Sequence, residues 1–96
     1  FKAFEHKEKY IFFFSIPDLC DLCKDQKEEY KKYDIPNLIN VVGELADEEY
    51  FQKIGIQMLP CTILFDKEGK HRLKKYGVQY ESQIKNLLKE FDNHDK

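Results

Sequence analysis

Tyr10-Ile11-Phe12-Phe13-Phe14 is an unbroken apolar run near the start of a 96-residue chain. It is far too short for a membrane span, which needs roughly 20 apolar residues. It lacks the alternation of a strand with one wet face. A run of this kind suits a strand buried on both faces of a parallel sheet. Ile16-Pro17-Asp18 interrupts it, and Cys20-Asp21-Leu22-Cys23 follows at the head of a charged stretch, Lys24 to Lys32, that reads as helix.

Two cysteines spaced C-x-x-C at a strand-to-helix junction are placed for redox chemistry. The reactive form of cysteine is the thiolate, and the unpaired N–H groups of a helix's first turn stabilise negative charge there. A disulfide between residues three apart can close and reopen without rearranging a fold. The same tetrapeptide also serves zinc ribbons, haem attachment and chance. A Zn²⁺ site needs four ligands, and beyond this pair the chain has only Cys61, with His6, His71 and His94 scattered singly. Haem attachment needs His after the second cysteine, where this chain has Lys24. The tetrapeptide alone leaves these readings open.

Further along, Cys20 to Tyr33 is the expected helix, with Leu22, Cys23, Tyr30 and Tyr33 as its incomplete apolar face. Asp34-Ile35-Pro36-Asn37 is a turn and Leu38–Val42 a second buried strand. Asp47 is the expected N-cap of a short helix carrying Tyr50, Phe51 and Ile54 inward, closed by Gly55. After Leu59-Pro60 come the strand Cys61–Phe65, a hairpin turn at Asp66-Lys67-Glu68-Gly69, and an edge strand of mixed polarity at Lys70–Tyr76. Ile84, Leu87, Leu88 and Phe91 then mark an amphipathic terminal helix at i, i+3, i+4 and i+7. The order β-α-β-α-β-β-α joins a parallel βαβ unit to an antiparallel ββα unit: an α/β fold of one small domain over residues 1–96.

Charge excludes one class of partner. Lysines and acids are interspersed, as in Lys24-Asp25-Gln26-Lys27-Glu28-Glu29, and the net charge is −2. A nucleic-acid surface shows a clustered basic excess instead. Three cysteines, an odd number, make no disulfide framework, so a core must carry the fold; 42% hydrophobic content, with eight Phe and six Tyr, suffices for one. Residue 1 is Phe rather than Met, which reads as a chain cut from something longer. The compartment is left open.

Four features together resemble the thioredoxin-like family: the aromatic strand running into C-x-x-C; Gly55-Ile56-Gln57-Met58-Leu59-Pro60, roughly forty residues on; the strand–turn–Gly hairpin from Thr62 to Lys70; and Gly77 followed by a helix with Gln83-Ile84-Lys85 and Leu87-Leu88. The resemblance covers Tyr10 to Phe91. It implies the thioredoxin fold, a central mixed sheet of about four strands flanked by helices, with 1–9 a partial first helix or tail. It also implies a thiol–disulfide oxidoreductase in which Cys20 is the exposed nucleophile and Cys23 the resolving thiol. Pro60 would be the family's cis-proline, with the backbone of Leu59 free to pair with a substrate strand, and Gly77 would sit in the substrate-facing loop. Expected partners are protein disulfides and a separate regenerating reductase. No cofactor, no metal, no nucleic acid and no membrane span are expected, and the chain is expected to act as a monomer.

The departures from the family carry information too. Leu19 stands where thioredoxins have Trp, and Asp21-Leu22 where they have Gly-Pro. Phe14 takes the place of the buried acid that helps deprotonate the resolving cysteine, and the proline that kinks the helix is missing. Asp18, Asp21 and Asp25 oppose a thiolate at Cys20, while Lys24 and the helix dipole favour it. This balance predicts a reducing couple, nearer about −270 mV than about −120 mV. Cys61 is a small buried residue at a strand start, or else a third thiol beside the pair. The alternative function is a non-catalytic thioredoxin-fold interaction module, which the altered surroundings of C-x-x-C favour.

Overall fold

The computed structural model describes residues 9–93. The expected helix or tail over 1–9 therefore lies, but for Lys9, outside the described residues, as do His6 and His94. The elements run β1 (Tyr10–Ser15), α1 (Asp21–Lys31), β2 (Leu38–Val42), a 3₁₀ turn (Leu45–Asp47), α2 (Glu48–Lys53), β3 (Cys61–Phe65), β4 (His71–Tyr76) and α3 (Glu81–Asn93). One sheet holds all four strands in the order β2-β1-β3-β4. β1 pairs parallel with β2 and antiparallel with β3, and β3 pairs antiparallel with β4.

The aromatic run becomes a central strand because its side chains fill both faces of the sheet. Phe12, Phe14 and Ile16 point to one face, where they pack with Phe51, Ile56, Cys61 and Ile63. Ile11 and Phe13 point to the other, where Tyr30 of α1 and Ile84, Leu87 and Phe91 of α3 cover them. So α1 and α3 lie on one side and α2 on the other. Each fully buried Phe or Ile here contributes about 1.5–3 kcal/mol. Behind β3, the Asp66 carboxylate closes the hairpin by accepting from the N–H groups of Glu68 and Lys70 and from Arg72 Nε at 2.7 Å.

Several local expectations need correction. β2 is an edge strand rather than a buried one, with Asn40 and Val42 exposed. The apolar composition of Leu38–Val42 is the same for either place, and only the strand order decides. On α2, Phe51 alone is buried, while Tyr50 and Ile54 face solvent. Asp47 occupies the N-cap position of α2 as expected, but its carboxylate makes no capping hydrogen bond there; it turns back to accept the Glu44 N–H at 2.8 Å and closes the preceding 3₁₀ turn. Helix α1 begins one residue later than expected and ends at Lys31, leaving Tyr33 beyond it. Leu22 is exposed, and the buried face of α1 is Cys23, Gln26 and Tyr30, spaced three and four apart.

Candidate redox site

Cys20 is the N-cap of α1, in extended backbone conformation with φ −141° and ψ 101°. A cap at that position orients its side chain toward the orphan N–H groups of the first turn. Cys20 Sγ accepts from the Cys23 N–H at 3.1 Å. Cys20 is half-buried and Cys23 buried, both with free thiols. Burial, reinforced by the hydrogen bond with Cys20, pushes the Cys23 thiol up to about 12 from an ordinary 9.0.

The two cysteines line different spaces. Cys20 borders a groove of about 360 Å³ whose walls are Leu19, Leu22, Phe51, Ile56, Met58 and Leu59. Cys23 borders a second cavity of about 390 Å³ with Phe13, Ser15, Lys24, Lys27, Glu28 and Asn40. The more exposed cysteine of the C-x-x-C thus belongs to one space and the buried one to the other.

The Leu59–Pro60 peptide bond is cis, Leu59 lines the groove, and Pro60 is buried behind it. Gly77 does not line the groove. Its N–H donates to the Pro60 carbonyl at 2.9 Å, and its φ of +85° is a backbone conformation that glycine adopts at no cost. Phe14, where the family's acid would sit, is buried with its ring edge against Phe51, centroids 5.6 Å apart. Cys61 is fully buried among Phe12, Phe14, Ile16 and Ile63 and lines neither space beside the C-x-x-C. Burial pushes its thiol up to about 11, against the pull of Lys74. Among the described residues no three His, Cys, Asp or Glu side chains converge as metal ligands. His71 is exposed at the start of β4.

Four residues, three of them passed over by sequence reasoning, hold this arrangement. Gln26, fully buried on α1, donates through Nε2 to the Gln79 carbonyl at 3.0 Å and accepts the Gln79 N–H on Oε1. This reciprocal pair ties the loop after Gly77 to the helix that carries both cysteines. Gln79 in turn donates from Nε2 to the Gly77 carbonyl at 3.1 Å. On the other flank, Lys74 Nζ and the Tyr76 hydroxyl both donate to the Gly55 carbonyl, at 3.2 and 3.1 Å. The one visible signal was Gln26 itself, a polar residue three positions after Cys23, where an apolar one would complete the helix face.

No protein-family model matches the chain, and no curated protein does. Solved structures do. A thioredoxin-2 described as a component of malaria parasite protein secretion machinery superposes with a TM-score of 0.66 at 20% identity, covering 86% of this chain and 82% of that one. Thioredoxin f from spinach chloroplast, short form, gives a TM-score of 0.68 at 13% identity, covering 100% and 86%. A Malassezia sympodialis thioredoxin gives 0.67 at 17%, covering 88% and 76%. At these identities the likeness is one of architecture, and strand order and helix placement agree with it: the chain has the thioredoxin fold, in a divergent form.

Proposed function

We propose that this chain is a thiol–disulfide oxidoreductase acting on protein disulfides through Cys20 and Cys23. The observation that carries the reading is the asymmetry of the pair. Cys20 is accessible, held by the Cys23 N–H and set at a groove, whereas Cys23 is buried one turn into the helix. Cys20 thiolate attacks one sulfur of a substrate disulfide. A bond forms between Cys20 and that sulfur, and the other substrate sulfur leaves as a thiolate that takes up a proton. Cys23 then loses its proton and attacks Cys20 Sγ, forming the intramolecular disulfide and expelling the second substrate sulfur as a thiol. The substrate gains two electrons, and an external dithiol returns them by the reverse exchange. The proton of Cys23 leaves through the second cavity, toward solvent or the Glu28 carboxylate, because Phe14 offers no base. The backbone of Leu59, beside Pro60, is the pairing edge for the substrate strand, and the unit acts as a monomer.

A non-catalytic interaction module is favoured by one observation: burial pushes the resolving thiol up to about 12, and Phe14 stands where the family's acid would be. The Cys23→Ser variant separates the two readings. An exchange enzyme lacking Cys23 accumulates covalent adducts with disulfide substrates through Cys20, visible by mass spectrometry and lost on reduction. Absence of adducts with any disulfide, together with failure of the wild-type pair to cycle between about −120 and −280 mV, refutes the enzyme reading.

A further inference from the structure

The groove beside Cys20 carries charge of one sign only. Leu19, Leu22 and Met58 stand 48%, 52% and 60% exposed on its walls, an apolar surface that nothing in the described chain covers. Among the described residues the only charged side chains lining it are Asp21, from the first turn of α1, and Glu48, from the first turn of α2. Both are exposed, and among the described residues neither is held by a cation. The lysine closest in sequence to the cysteines, Lys24, lines the opposite cavity with Cys23. Further acids follow in sequence, Asp18 and Asp25 about the cysteines and Glu44, Asp47 and Glu49 about the start of α2, while Lys53 is bound to Glu49 at 3.6 Å and Lys74 is held on the Gly55 carbonyl at 3.2 Å. An apolar cleft with an acidic rim is complementary to an apolar side chain bracketed by cations.

From this complementarity we propose that the groove selects an extended peptide in which the reacting cysteine has an apolar neighbour and is flanked by Lys or Arg. The proposal rests on the exchange reading for its biological use but not for its test. Rim charges act mainly on encounter rate and selectivity between partners, and their effect is screened by salt.

The test is a titration of the ¹⁵N-labelled, reduced wild-type protein with ten-residue peptides in which Ser replaces the reacting cysteine. Leu is fixed beside it, and the flanking residues are Lys, Gln or Glu. At about 20 mM salt the Lys peptide is expected to bind at least about tenfold more tightly than the Glu peptide. It shifts the amides of Leu19, Leu22 and Met58, and the difference narrows to about twofold at about 0.5 M salt. Glu48→Gln, at an exposed position, is expected to weaken the Lys peptide about threefold. Equal or reversed affinities, shifts confined elsewhere, or no binding overturn the proposal. So do shifts of the same amides on raising protein concentration without peptide, which assign the groove to a second copy. Turnover of hydroxyethyl disulfide by the same protein reports the exchange chemistry separately, so failure of one reading is not mistaken for failure of the other.

Discussion

Replacing Gln26 by Leu isolates the contact that joins the cysteine helix to the loop after Gly77. Leu has nearly the volume of Gln, so no large cavity opens. Both hydrogen bonds to Gln79 disappear, leaving its buried N–H and carbonyl without partners. Each orphaned group costs about 1–3 kcal/mol, offset in part by the added apolar burial of about 1–2 kcal/mol. The net loss is then about 1–4 kcal/mol, a large share of a domain stability of about 5–15 kcal/mol. With a urea slope of about 1.5 kcal/mol per molar, the unfolding midpoint drops by about 0.7–2.7 M. Hydrogen exchange at the Gln79 amide, slow in the parent, becomes fast while the amides of β1 stay protected. A midpoint shift below about 0.5 M with Gln79 still protected refutes the idea that this pair anchors the loop.

Two further outcomes follow from the buried thiols. Reduced protein loses stability above about pH 9, because Cys23 and Cys61 ionise at 9.0 when unfolded but stay protonated in the fold to about 12 and about 11. Each raised value contributes stability that is complete below the unfolded value and disappears as pH rises toward the folded one. By about pH 10.5 the two thiols together forfeit about 3–4 kcal/mol, and urea midpoints equal at about pH 8 and 10.5 refute this. Iodoacetamide at about pH 8 alkylates Cys20 alone in the native reduced protein, at least about a hundredfold faster than Cys23 or Cys61, since burial withholds both access and thiolate from those two. Peptide mapping that finds Cys23 or Cys61 modified at a comparable rate contradicts the asymmetry of the site.

Local pattern revealed those elements whose burial is decided locally. β1 was legible because five consecutive apolar residues admit few alternatives to a doubly buried strand, and α3 because Ile84, Leu87, Leu88 and Phe91 trace a helical stripe. α1 was half-legible: its buried face includes Gln26, whose partner lies 53 residues away and leaves no trace in periodicity. β2 and α2 misled for a related reason. Leu-Ile-Asn-Val-Val gives no sign of which strand will flank it, and a six-residue helix that docks through Phe51 alone leaves Tyr50 and Ile54 to solvent. At the site, the cysteines and Leu59-Pro60 were visible as motifs. The groove wall was not, since Ile56 and Met58 belong to a loop whose course is set by Lys74 and Tyr76 from β4.

That loop is held through its backbone. The Gly55 carbonyl is held by Lys74 and Tyr76, the Gln57 N–H by the Tyr76 hydroxyl at 3.4 Å, and the Pro60 carbonyl by the Gly77 N–H. Between the end moorings the side chains of Gln57 and Met58 are exposed. The stretch behaves as an interchangeable panel. Its exposed residues can be exchanged, by drift or by design, to fit a different client without disturbing the sheet or the cysteines. On the exchange reading proposed above, recognition and chemistry in this chain would be free to evolve at separate rates.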